Sequence, residues 1–287
     1  MIEIEDLRSN GPLTDPVMIA AFEGWNDCGG AATGVIDHLI DTWDATLIGA
    51  IDPEDFYDFQ VNRPSVSIDD AGMRHLVWPS TQIYLARPPS LGRDVLLVRG
   101  IEPNMRWRQF CAEILAATTD LGTTLVCMLG AVMAEVPHTR PIEVNGTSTE
   151  VDITDRLGLE TPHYEGPTGI VGVLEDACTR LDLPAVSFWA AIPHYVSAPP
   201  CPKGTLALLS HVEDLLGATV DLDDLVEDSR AWERGADEYV QEDEDLAEYL
   251  EQLEQAADAA ALPQASGEAI AREFERYLER RQTGRED

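Results

Sequence analysis

Seven short apolar runs, at 17–22, 46–51, 75–77, 83–86, 95–98, 124–129 and 185–192, alternate with longer amphipathic segments. This alternation constrains the fold more than any single motif does. Several runs are nearly continuous in Val, Ile, Leu and Ala, the pattern of strands covered on both faces. The segments between them, at 27–40, 105–121, 170–181 and 203–216, have helical spacing. In one of them Ile170, Val173, Leu174, Ala177 and Leu181 form a single stripe, and in another Trp107, Phe110, Cys111, Ile114 and Leu115 do the same. Strands alternating with helices predict an α/β layered domain with a largely parallel sheet.

The first run shows where function belongs in such a sheet. It leads into Glu23-Gly24-Trp25-Asn26-Asp27-Cys28-Gly29-Gly30, a polar, glycine-bearing turn, and a small-residue helix is expected to begin near Asn26. That is the carboxyl edge of a strand, where open α/β sheets place their ligands. Three polar clusters are candidates for this edge. The first is Glu23, Gly24, Trp25, Asn26 and Asp27, where a helix amino terminus offers N–H groups to a ligand; Asn26 or Asp27 capping the helix accounts for the same residues. The second is His138, Thr139 and Arg140, a histidine and an arginine suited to binding an anion or moving a proton. Equally, Arg140 would hold its loop by pairing with a carboxylate. The third is Gly166-Pro167-Thr168-Gly169, a tight turn in which Thr168 caps the next helix or presents a hydroxyl. These residues form the candidate ligand-binding set, with no catalytic residue and no metal ligand assigned.

Composition removes several classes of function. The chain carries 19 Lys and Arg against 53 Asp and Glu, a formal charge of −34. Such a surface repels phosphate backbones and anionic membranes, so neither nucleic acid nor membrane is an expected partner. Lys203 is the single lysine and lies in Pro202-Lys203-Gly204, without the glycine spacing of a phosphate-binding loop. No dinucleotide fingerprint, H-E-x-x-H, G-x-S-x-G or zinc-spaced Cys/His set occurs, and no cofactor is expected. The five cysteines are odd in number and far apart, as reduced thiols are. Cys201 lies close to His194 in sequence, but nothing near it would depress its pKa. An acidic amino terminus, and no apolar run approaching the roughly 20 residues of a membrane span, lead to the expectation of a cytoplasmic protein.

Near residue 220 the composition changes: strand-like runs vanish and charges interrupt every few positions. Leu246, Tyr249, Leu250 and Leu253 share one helical face, Ile270, Phe274, Tyr277 and Leu278 another, and 262–267 separates them as a loop. The expected organisation is an α/β core over 1–220 followed by a helical hairpin over 221–287. Its narrow apolar stripes must pack on the core or on a neighbouring subunit.

Seven ordered motifs together resemble the proteasome-assembly-chaperone-like family in its bacterial, especially actinobacterial, branch. They are Glu23-Gly24-Trp25-Asn26-Asp27, Asp52-Pro53-Glu54-Asp55-Phe56-Tyr57-Asp58-Phe59, Gly100-Ile101-Glu102-Pro103, Trp107-Arg108-Gln109-Phe110, Pro137-His138-Thr139-Arg140-Pro141, Gly166-Pro167-Thr168-Gly169-Ile170 and Pro193-His194-Tyr195-Val196. The resemblance implies a three-layer α/β/α sandwich similar to that of nucleoside phosphorylases, with a mostly parallel central sheet. It also implies self-assembly, for example as a trimer, and a protein partner related to the proteasome. Eukaryotic and archaeal relatives dock through a carboxy-terminal hydrophobic-Tyr-X motif; this chain departs from that pattern, ending Gly284-Arg285-Glu286-Asp287.

The reading that follows is a non-enzymatic, chaperone-like interaction protein that forms a homo-oligomer. The alternative is an enzyme or sensor of a small nucleoside-like molecule, with Glu23, Asn26, Asp27, His138 and Arg140 around a strand-edge pocket.

Overall fold

The structure, a computed structural model, describes residues 3–4 and 12–261 apart from 70, 160 and 162. Its first half contains β1 (Glu3–Ile4), β2 (Val17–Glu23), α1 (Ala31–Thr42), β3 (Thr46–Ile51), β4 (Ser65–Ile68), β5 (Arg74–Val77), β6 (Thr81–Ala86), β7 (Val95–Ile101) and α2 (Trp107–Asp120). The second half adds β8 (Leu125–Ala134), β9 (Val144–Ser148), α3 (Val151–Leu157), α4 (Ile170–Arg180), β10 (Ala185–Pro193), α5 (Pro202–Leu216), α6 (Leu225–Gln241) and α7 (Glu244–Ala261). Eight strands form one sheet in the order β1-β3-β6-β7-β2-β8-β10-β9. The four central strands β7, β2, β8 and β10 run parallel, and the flanking strands pair antiparallel. The expected α/β architecture, with its mostly parallel centre and helical C-terminal part, is what forms.

Two cores explain why the central runs are continuously apolar. Val17, Ile19 and Ala21 of β2 face a cluster with α1 and α5, through residues such as Val35, Ile36, Leu208 and Val212. Met18, Ala20 and Phe22 face the other way, onto Phe110 and Ile114 of α2 and Leu174 of α4. These six side chains are fully buried, and only Glu23 at the end of β2 is not. Alternation by period two therefore carries no polar face here, because helices cover both sides. Phe110 anchors the second layer, with edge-to-face contacts to Phe22 and Phe56 at ring-centroid distances of 5.8 and 5.3 Å.

Three differences from the sequence expectations have local causes. The 75–77 run forms β5, but it pairs with β4 in a separate two-stranded hairpin rather than joining the sheet. The edge strand β9 contains Asn145, Gly146 and Thr147, too polar to register as an apolar run. Helix α6 was not anticipated, and it is α6 that precedes and packs beside α7 around Glu242 and Asp243. The second expected C-terminal helix, at 270–278, lies outside the described residues.

Candidate functional site

The turn after β2 depends on glycine. Gly24, Gly29 and Gly30 have φ values of 114°, 67° and 62°, a region that costs residues with a side chain about 1–2 kcal/mol each. The turn brings the Asp27 backbone into a bridge with Ala131 of β8 and folds its carboxylate back over α1. Asp27 Oδ1 accepts the Ala32 N–H at 2.7 Å, and Oδ2 accepts the Thr33 hydroxyl. Asp27 thus caps the helix, which starts at Ala31 after a short 3-10 turn at Cys28–Gly30, later than Asn26. Burial pushes the Asp27 carboxyl above its ordinary value, while the Thr33 hydroxyl and the Ala32 and Thr33 N–H groups pull it back.

Asn26 is fully buried. Its Nδ2 donates to Glu102 Oε1 at 2.7 Å, and the same oxygen accepts the Ile170 N–H at 2.9 Å. One carboxylate beyond β7 therefore ties the first cluster to the start of α4. Asn26 Oδ1 is buried with no hydrogen-bond partner among the described residues, and a Cβ added at Gly169 would overlap it. Glu23 lies on the outer side, ion-paired with Arg99 at 2.8 Å; Arg99 also reaches Asp37 of α1. Trp25, next in the turn, is exposed. Of the third cluster, Gly166 and Thr168 are exposed and Gly169 is buried. The Tyr164 hydroxyl closes their turn by donating to the Pro167 carbonyl at 3.0 Å. The first and third clusters thus meet, through Asn26, Glu102 and α4.

His138, Thr139 and Arg140 have other partners. They follow β8 and face α6 and α7. The His138 ring is fully buried, with Nδ1 2.8 Å from the Tyr195 hydroxyl and Nε2 3.0 Å from Asp237 Oδ1. The Tyr195 oxygen also accepts the His138 backbone N–H at 2.8 Å. These partners suit an imidazole protonated on Nε2, with Tyr195 donating to Nδ1 and Nε2–H donating to Asp237. Burial pushes the Tyr195 phenol up to about 12. Arg140 forms a forked pair with Asp258, at 2.7 and 2.9 Å, and reaches Glu254 at 3.4 Å. Thr139 donates to Glu254 as well. Lys203, at the start of α5, donates to the His138 carbonyl at 2.6 Å and pairs with Glu233 of α6. The His194 ring meets Tyr249 of α7 edge-on at 5.6 Å. An open groove of about 380 Å³ remains beside this clasp, lined by His138, Thr139, Arg230, Glu233, Arg234 and Asp237.

The sequence reading missed Glu102, Tyr195 and Lys203 as members of these clusters. A signal existed for Glu102, since Gly100-Ile101-Glu102-Pro103 ends an apolar run just as Glu23 does. Tyr195 lies in the Pro193-His194-Tyr195-Val196 motif and Lys203 is the single lysine, but nothing local marks their partners, which are remote in sequence. The Cys201 thiol is buried, and burial pushes it up to about 11, leaving it a poor nucleophile. No helix among the described residues is long and apolar enough to cross a membrane.

Comparison with known proteins places this geometry. Residues 21–240 match the model of the PAC2 family. A PAC2 family protein from Streptomyces avermitilis is 52% identical, with a TM-score of 0.77, covering 82% of this chain and 99% of that one. The chain belongs to the PAC2 family. A proteasome-assembly chaperone homologue from Mycobacterium tuberculosis is 50% identical, with a TM-score of 0.74 and the same coverage of 82% and 99%. An archaeal proteasome activator from Pyrococcus furiosus shares the fold, with a TM-score of 0.67 at 18% identity over 83% of this chain and 98% of its own. No curated protein matches the sequence. Residues 23–27, 137–141 and 166–170, which frame the strand-end clusters, all lie within the matched region.

Proposed function

We propose that this protein is a non-enzymatic, chaperone-like interaction protein that works as a homo-oligomer on a partner related to the proteasome. The observation that carries the reading is the 50% identity to a mycobacterial proteasome-assembly chaperone homologue over 99% of that chain. The geometry supports it. The polar side chains with the chemistry for a reaction are bonded within the fold: Asn26 and Asp27 to the helix starts, His138, Thr139 and Arg140 to the carboxylates of α6 and α7. They act as joints between layers, and joints of this kind present a rigid surface to another protein. An α/β core over 1–220, with the segment from 221 onward as its helical attachment, fits this role. Gly24, Trp25, Gly166 and Thr168, on or beside the outer rim of the first and third clusters, are the ligand-facing part of the candidate set in either reading.

The test is native mass spectrometry of the tagged full chain isolated gently from its own host. Proteasome subunits bound in fixed ratio are the expected result. A homo-oligomer that instead carries a stoichiometric small molecule overturns the reading in favour of a nucleoside-like sensor or enzyme.

A further inference from the structure

The groove of about 380 Å³ beside the clasp is formed largely by one face of α6. Arg230, Glu233, Arg234 and Asp237 follow one another at the i, i+3, i+4, i+7 spacing that aligns side chains on a helix. His138 and Thr139 complete the lining. Their polar side-chain atoms are already engaged. Both His138 ring nitrogens are bonded, and the Thr139 hydroxyl donates to Glu254 and accepts from Arg140 at 3.3 Å. Recognition of a ligand therefore falls to the four charged groups of α6.

Those charges are unevenly matched within the chain. Glu233 pairs with Lys203. The two arginines share one carboxylate, Glu227, at 3.1 Å from Arg234 and 3.8 Å from Arg230. Glu238, one turn beyond Arg234, figures in no ion pair among the described residues. At the other end Asp237 meets the His138 ring through one oxygen at 3.0 Å. With the imidazole neutral, that contact leaves the carboxylate charge uncompensated. Past it, Glu254 and Asp258 share the single cation of Arg140. One end of the face thus has a surplus of cations and the other a surplus of anions. Arg234 and Asp237 are three residues apart, about 4.5 Å along the helix axis.

This polarity selects the ligand. Exposed ion pairs such as Arg234–Glu227 contribute little, so Glu227 gives way at small cost. A carboxylate held by two guanidinium groups makes the stronger charge-assisted bonds. On a chain of charge −34 a simple anion is repelled before it arrives, whereas a ligand with no net charge is not. An α-amino acid has no net charge and carries its carboxylate and ammonium on one carbon, which suits the short interval.

We propose that the α6 groove binds a small zwitterion of the α-amino-acid class, with its carboxylate on Arg230 and Arg234 and its ammonium on Asp237. The ligand bridges α6 and the 138–139 segment, and so tightens the clasp. The proposal goes beyond the interaction reading and does not depend on it, since a zwitterion bound alongside a protein partner leaves that reading intact.

Saturation-transfer NMR on the full chain tests it, with each common L-amino acid as probe at up to about 10 mM. At least one should bind saturably. For that amino acid, the matched acid without the amine and the matched amine without the carboxylate should each bind about tenfold more weakly or worse. Arg234→Ala should weaken binding about tenfold, and the double change with Arg230→Ala further. Asp237→Asn keeps an oxygen for the His138 ring and removes the charge; it should also weaken binding about tenfold. Both arginines are exposed, so their substitution should leave the melting temperature of the free chain unchanged. Hydrogen exchange on the wild type gives a readout free of variants: amides of 230–237 should gain protection with the amino acid, and those of α4 should not. Binding of no amino acid overturns the proposal. Binding indifferent to these substitutions also overturns it, by putting the ligand elsewhere. An acid that binds as tightly as its amino acid overturns it too, by making the groove a plain anion site.

Discussion

Two polar assemblies lie at the carboxyl ends of the central strands and are held by opposite means. Around Asn26, Asp27 and Glu102 the side chains are bonded largely to backbone N–H groups at the starts of α1 and α4. Around His138, Arg140 and Lys203 they are bonded mainly to carboxylates on α6 and α7. The first knot holds the sheet to its covering helices; the second clasps a later helical pair onto the finished core. Desolvation separates them energetically. Asn26 is fully buried and the Glu102 oxygen it meets serves two donors, so any loss leaves unpaired polar groups inside. The Arg140–Asp258 pair faces water, where ion pairs contribute little.

That contrast sets an order of effects. Glu102→Ala should be the most damaging change, because it strands both Asn26 Nδ2 and the Ile170 N–H. A loss of about 3 kcal/mol in urea unfolding is expected, and a loss below about 1 kcal/mol would break the distinction drawn here. His138→Ala comes next at about 2 kcal/mol. It should speed amide exchange in α6 while leaving α4 untouched; equal loosening of both would mean that the two assemblies act as one. Arg140→Ala should barely move the unfolding midpoint, yet it should raise exchange across α7, whose Asp258 and Glu254 it holds.

The smallest effect is a dependence on pH. Hydrogen bonds from Arg140 hold the Asp258 carboxyl below its ordinary value of 3.8. A group lowered in the folded state contributes stability above its unfolded value and loses it as pH falls through the folded one. Protection across α7, taken relative to the intrinsic exchange rate at each pH, should therefore fall only below about pH 3.8, and Arg140→Ala should remove that step. A step at higher pH would point to another group in the clasp.

The legible parts of the molecule were those with a local signature. The 17–22 run could be placed because every one of its side chains is apolar, and the cap could be narrowed to Asn26 or Asp27 because the glycines around them specify the turn. Helix α6 had a readable stripe as well, in Leu225, Trp232, Ala236 and Val240, but the charges between these residues obscured it. The β4 strand was harder to see, since Ser65-Val66-Ser67-Ile68 is only four residues long and all four are exposed. The role of Arg140 was open between anion binding and pairing with a carboxylate; the structure supplies the carboxylates, more than a hundred residues later in the chain.

By itself, then, the order of apolar runs and glycine turns determined the layered sheet, the strand ends where polar residues gather and the family motifs they carry. These depend on burial and backbone conformation, which neighbouring residues largely decide. Only the tertiary structure decided which polar groups meet: Asn26 with Glu102, His138 with Tyr195 and Asp237, Lys203 with Glu233. Such pairs form between residues that neither adjacency nor periodicity relates. With 53 carboxylates to choose from, the partner of each cation is settled by where the packing of apolar faces places the helices.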